Sequence, residues 1–245
     1  MIAIDFSGQT VLVTGGTSGI GNGIARAFLR AGAAVHVTGT RPAAGYAAED
    51  GSDLSGLAFH QLDIADDESV AAFAAKFGAL DVLVNSVGTV AYKRKEFEME
   101  TFRRIMDVNL NGVMHISTLF HDRLAAARGS IIQIASLASF FSTRNNPAYS
   151  ASKGGLAILT KTLADNWGRD GIRVNAIAPG FVASKLTRVS RDNPKIYEAS
   201  IRRTPLGRWG TPDDMGNAAL FLASPLASFI TGQTICVDGG ISLST

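Results

Sequence analysis

The stretch 10-TVLVTGGTSGIGNGIARAFLRAG-32 decides the fold. Its first part, "TVLVTG", reads as a β-strand, and "GIGNGIARAFLRAG" reads as a helix. Between them lie Gly15, Gly19 and Gly21, separated by three residues and then one. This is not the strict G-x-G-x-x-G spacing, but it meets the same physical requirements. Glycines permit a tight turn and close backbone approach, and a helix N-terminus offers free N–H groups to a pyrophosphate. Thr17 and Ser18 add hydroxyl donors next to Ile20. A strand, a glycine turn and a helix in this order predict a dinucleotide-binding βαβ unit.

Outward from this unit the same alternation continues. "AVHVTG", "LAFHQLD", "LDVLVNS", "SIIQIAS", "IRVNAIAPG" and "QTICVDGG" read as further strands. Helical stretches separate most of them: "DESVAAFAAKFG", a long region over about 96–127, and "PAYSASKGGLAILTKTLADNWG". Nearly continuous apolar strands separated by helices indicate a parallel sheet covered on both faces. The expected fold is α/β, a doubly wound Rossmann-type sheet in one domain spanning 1–245. Segment 181–210 breaks the pattern, being polar with two prolines. An insertion of this length in a compact domain suggests a substrate lid, an ordinary surface hairpin being the alternative.

Composition narrows the function. With 46% hydrophobic and 18% charged residues the chain can fill a large core. Its net charge is +2, and basic clusters such as Lys93-Arg94-Lys95 are short and scattered, which argues against a nucleic-acid partner. One cysteine, Cys236, precludes an intrachain disulfide and is expected to be a buried small hydrophobe. Four histidines without zinc-like spacing predict no catalytic metal. "MIAIDFSG" lacks the pattern of a signal peptide, and no apolar run is long enough for a bilayer. A cytoplasmic protein without membrane association is expected.

"NNPAYSASKGG", 145–155, places Tyr149 and Lys153 one helical turn apart, on one face of a helix. The same residues spell Ser150-x-x-Lys153, the pattern of acylating serine enzymes. That alternative lacks its partners: there is no S-D-N, Lys161-Thr162 is followed by Leu163, and Ser18 is in no G-x-S-x-G elbow.

T-G-x-x-x-G-x-G followed by Tyr149-x-x-x-Lys153 resembles the short-chain dehydrogenases/reductases. Further pieces match in order along nearly the whole chain: Asp63 in "LDI", "NSVG" (85–88), "DVNLNG" around Asn109, Ser136 thirteen residues before Tyr149, "PG" (179–180) and "VDGG" (237–240). The resemblance implies Asn109, Ser136, Tyr149 and Lys153 as catalytic residues. Tyr149 would be the general acid/base, its pKa lowered by the Lys153 charge. Ser136 would hydrogen-bond the substrate oxygen, Lys153 would hold the nicotinamide ribose, and Asn109 would anchor a water. Cofactor contacts are expected from Gly15, Thr17, Ser18, Gly19, Ile20, Gly21, Thr40, Arg41, Asp63, Ile64, Asn85, Gly88, Tyr149, Lys153, Pro179, Gly180, Val182 and Ser184. Asp63 would meet the adenine amino group. A dinucleotide-binding sensor or scaffold without turnover is the alternative of another class.

The chain departs from the family pattern at Ser86 and Val87, which replace Asn and Ala, at Gln133, which replaces Asn, and at Ser184, which replaces Thr. The family's NAD-selecting acid would fall at Gly39. No carboxylate lies between Val35 and Ala48, and Arg41 suits a phosphate, so NADP(H) is the expected cofactor, with NAD(H) as the alternative. Phe140, Phe141, Phe181 and Leu186 flank the expected substrate site, which together with Ser136 and Tyr149 suggests a small apolar ketone or secondary alcohol, core packing being the other use of the aromatics. The 3-oxoacyl-carrier-protein reductases are among the family members it resembles, and that activity is an alternative. Asp170 stands where they often carry a base, which disfavours a carrier-protein partner. Family resemblance and the apolar segment from Ala218 onward imply a homotetramer.

Overall fold

The computed structural model describes residues 4–46, 52–184 and 187–244, without the side chain of Ser244. Its seven strands are β1 (Thr10–Thr14), β2 (Ala34–Gly39), β3 (Ala58–Gln61), β4 (Val82–Asn85), β5 (Ser130–Ile134), β6 (Arg173–Pro179) and β7 (Thr234–Val237). All pair in parallel in the order β3-β2-β1-β4-β5-β6-β7. The order reverses direction between β1 and β4, which opens a crevice at the carboxyl ends of the strands. The seven strands are those expected from the β-branched runs.

Alternate side chains of each central strand enter different cores. Val11 and Val13 of β1 pack with Ile24 and Phe28 of helix α1 (Gly19–Arg30), while Leu12 points to the opposite face. That second face holds α2 (Asp67–Lys76), α3 (Met99–Met106), α4 (Gly112–Leu119), α5 (His121–Ala127) and the long α6 (Pro147–Trp167). Burial on both sides explains why β4 and β5 are apolar apart from Asn85, Ser130 and Gln133. The edge strand β7 is different. Only β6 pairs with it, it is partly open along its length, and Cys236 is exposed rather than buried as expected. An edge strand has no neighbour along one side, so its side chains are more open to solvent.

The expected helical region 96–127 is broken into pieces. α3 runs into α4 through a π-helical turn, Asp107–Asn111, that widens the helix where Asn109 sits. The described residues of segment 181–210 include two short helices, α7 (Arg188–Arg191) and α8 (Pro194–Arg203), followed by α9 (Pro212–Ala223). No helix among the described residues is long and apolar enough to cross a membrane.

Candidate active site

The turn from β1 into α1 is shaped by backbone contact. Gly15 takes φ +68°, and a Cβ there would lie 3.0 Å from both the Ser86 carbonyl oxygen and the Val87 nitrogen. A Cβ on Gly21 would collide with the Gly15 carbonyl oxygen. Ser18 is the N-cap of α1, yet its hydroxyl makes no capping hydrogen bond and lies at a cleft. The turn therefore presents hydroxyls and the first N–H groups of α1 outward, the arrangement a pyrophosphate requires.

That cleft, about 680 Å³, runs along the carboxyl ends of the strands. Gly15, Thr17, Ser18, Gly19, Ile20 and Gly21 line one side, and Thr40, Arg41, Asp63 and Ile64 line the ends of β2 and β3. Gly88, Ser136, Tyr149 and Lys153 lie further along, facing Pro179, Gly180, Val182 and Ser184. Ser86 and Val87, two of the four departures from the family pattern, also line it. Asp63 is already engaged: one carboxylate oxygen accepts the Ala65 N–H at 3.0 Å, and the other pairs with Arg104 at 2.7 Å.

At the inner end three side chains converge. The Ser136 hydroxyl accepts the Ala138 N–H at 3.1 Å, which fixes it at the end of β5 beside the Tyr149 phenol. Lys153 is buried and donates from Nζ to the Ile134 carbonyl at 2.7 Å, 5.9 Å from the Tyr149 ring centroid. Burial brings the Lys153 ammonium down to about 8. Burial also pushes the Tyr149 phenol up; the Ser136 hydroxyl beside it opposes this, and Tyr92 and Glu96 add to it. The expected net lowering of the phenol is therefore not what the surroundings produce, because desolvation of a phenolate is the dominant cost here. Ser150 of the rival serine pattern accepts the Thr143 N–H at 3.3 Å and has no place in this group.

Several expected residues lie elsewhere. The Asn109 amide is buried, accepting the Thr89 N–H at 2.8 Å and donating to the Thr89 carbonyl at 3.0 Å and Ser152 Oγ at 3.1 Å. Its side chain clasps the loop after β4 to α6, beside Lys153. Asn85 likewise points inward, accepting from Thr14 Oγ1 at 3.2 Å and donating to Ser117 Oγ at 3.1 Å. Phe140 and Phe141 are half-exposed outside the cleft, because the turn Leu137–Ser139 carries the chain away from it. Phe181 stacks on Trp209 with centroids 5.1 Å apart, also outside the cleft. The apolar substrate suggested by these rings loses its basis. Leu186 lies outside the described residues.

Two participants escaped the sequence reading. Glu96 is buried with no exposure; its Oε2 accepts the Tyr149 N–H at 2.9 Å, and Oε1 accepts from Ala91 N at 3.0 Å and Asn146 Nδ2 at 2.9 Å. Tyr149 is the third residue of α6, so Glu96 caps the helix that carries Tyr149 and Lys153 from a distant loop. Lys93 and Arg94, at φ 59° and 62°, carry the strained backbone that turns the chain toward it. Nothing in "KRKEFEME" distinguishes this acid from its exposed neighbours. Tyr46 is the other, at the end of β2.

The family model described as Enoyl-(Acyl carrier protein) reductase matches residues 15–242. The chain belongs to the short-chain dehydrogenase/reductase family. Among its family relatives, 2-dehydro-3-deoxy-D-gluconate 5-dehydrogenase of Bacillus subtilis is 37% identical, covering 97% of this chain and 96% of the relative. The 3-oxoacyl-[acyl-carrier-protein] reductase of Chlamydia muridarum is also 37% identical, covering 96% of this chain and 97% of the relative. A gluconate 5-dehydrogenase from Burkholderia cenocepacia, solved in complex with NADP and tartrate, superposes with a TM-score of 0.88 at 33% identity, covering 99% of this chain and 98% of that one. Membership makes the protein an oxidoreductase of the dehydrogenase and reductase class.

Proposed function

We propose that the protein is an NADP(H)-dependent oxidoreductase interconverting a ketone and a secondary alcohol. The observation that carries this is the junction of Ser136, Tyr149 and Lys153 with one cleft that extends to the β1–α1 turn. The turn fits a dinucleotide because backbone occupies the space that side chains at Gly15 and Gly21 would need. When bound there, the cofactor supplies the hydride. Tyr149 hands its proton to the oxygen of the carbonyl, and Ser136 hydrogen-bonds that oxygen. The buried Lys153 charge favours release of the phenol proton, and Glu96 fixes the start of α6 so that the phenol stays in place.

The absence of an acid at the end of β2 and the presence of Arg41 support NADP(H) over NAD(H), as do relatives solved with NADP. The remaining substrate-end lining carries hydroxyls, from Tyr92, Ser136, Ser184 and Thr187, beside Val90 and Val182. This lining and the sugar-acid relatives favour a polyhydroxylated ketone or its alcohol. Segment 181–210 would act as its lid. A cytoplasmic homotetramer accounts for exposed Ile158 on α6 and fully exposed Phe229 near the open edge at β7.

The test is NADPH and NADH consumption over a panel of keto-sugar acids, ketoses and simple ketones. Turnover with NADPH on the polyhydroxylated members is expected. Turnover confined to simple apolar ketones would overturn the substrate class, and equal kcat/KM with both cofactors would overturn the preference.

A further inference from the structure

β2 ends at Gly39, and the chain then runs through Thr40, Arg41 and Pro42 into a short turn, Ala43–Gly45, that ends at Tyr46. The Tyr46 side chain folds back along this path. Its phenol oxygen accepts the Arg41 N–H at 3.0 Å, and the side chains of Thr17, Thr40 and Arg41 stand near it. The Arg41 guanidinium lies over the ring, 4.3 Å from its centroid. A Cβ on Gly39 would land on the phenol oxygen and within 2.8 Å of Thr17 Oγ1. The phenol oxygen therefore occupies the place where a side chain at the end of β2 would stand.

The surroundings of this oxygen do not match a phenol. A phenol oxygen has two lone pairs and one proton. Here one backbone N–H donates to it, while two hydroxyls and a guanidinium stand close by, a set of donors larger than one phenol needs. A phosphate has three oxygens and a charge near −2 close to neutrality, and it matches both the number of donors and the cation.

We infer that Tyr46 is a built-in competitor for the cofactor's 2′-phosphate, its phenol holding the phosphate's donors until the phosphate displaces it. This rests on the NADP(H) preference proposed for the same cleft. One set of donors cannot serve both oxygens at once, so the phenol swings out when the phosphate enters. The phenol thereby lowers the apparent affinity for 2′-phosphorylated cofactor by the fraction of molecules in which it is in place. A 2′-hydroxyl makes no demand on the same donors, so binding of the unphosphorylated nucleotide is untouched.

The experiment is calorimetric titration of 2′,5′-ADP and 5′-AMP into the wild type and Tyr46→Phe, which keeps the ring under Arg41 and removes the oxygen. Tyr46→Phe should bind 2′,5′-ADP about tenfold more tightly. Its affinity for 5′-AMP should be unchanged, which also shows that the variant is folded. Weaker or unchanged binding of 2′,5′-ADP overturns the inference; weaker binding would make the phenol a phosphate ligand. A wild type that does not distinguish the two nucleotides overturns the NADP(H) preference instead. In that case a preference for 2′,5′-ADP appearing in Tyr46→Phe upholds the competitor, and its failure to appear overturns both.

Discussion

The two ends of the cleft are held in different ways. At the phosphate end, Gly15 and Gly21 touch neighbouring backbone, and the geometry is set where no side chain fits. At the substrate end, the start and finish of segment 181–210 are tied by side chains and one bridge. Phe181 stacks on Trp209, Trp209 Nε1 donates to Ser200 Oγ at 2.6 Å, and Gly210 donates its N–H to the Phe181 carbonyl at 2.8 Å. The first end tolerates one kind of residue. The second can be rebuilt with other pairs of residues, which is how one family serves many substrates on one scaffold.

The contrast can be broken most sharply at Tyr149. Tyr149→Phe should lower kcat by about 10²- to 10⁴-fold, the range for loss of a general acid, while NADPH binding followed by fluorescence stays intact. More than a tenth of the wild-type kcat would mean that the proton comes from elsewhere. Gly21→Ala tests the opposite end. It should destabilise the fold by about 1–3 kcal/mol through overpacking and weaken cofactor binding, while leaving the kcat of the loaded enzyme little changed. A melting temperature equal to the wild type would show that the turn is less constrained than its contacts imply.

The pH dependence sharpens the role of the buried ammonium. Lys153, brought down to about 8 by burial, is charged below that pH and neutral above it. Carbonyl reduction should fall as pH rises through about 8, approaching tenfold per unit, because the charge that favours phenol ionisation is lost. A pH–rate profile flat to pH 9.5 would contradict this. The smallest effect concerns Gln133 on β5. Its amide nitrogen and oxygen are buried without a protein hydrogen-bond partner. Gln133→Leu should therefore stabilise the fold by about 1 kcal/mol, measured by chemical denaturation, since an unpaired buried amide costs free energy. A loss of stability would show that the amide is satisfied in solution.

Legibility in the sequence follows the same division. The sheet and the phosphate turn were readable because alternating apolar strands and spaced glycines are local requirements of the backbone. Ser136, Tyr149 and Lys153 meet at the cleft because strand end and helix turn fix their spacing. Phe140, Phe141 and Phe181 were misplaced because nearness in the chain to Ser136 and Pro179 does not set the direction a loop takes. Glu96 and Tyr46 were invisible for the complementary reason. Each matters through partners that only folding brings close, a helix start 53 residues away for Glu96 and a glycine turn 29 residues away for Tyr46.

The π-helical turn Asp107–Asn111 makes chain length itself a constraint. Such a turn holds one residue more than an α-helical turn. Deleting a single residue there would let α3 and α4 merge into one regular helix and rotate one against the other by about 100°, the angle per residue of an α-helix. Asn109 could then no longer reach both Thr89 and Ser152, though every remaining side chain would be chemically unaltered. A loop on the surface absorbs such a deletion, whereas here the loss of one residue would unseat the loop beside Lys153.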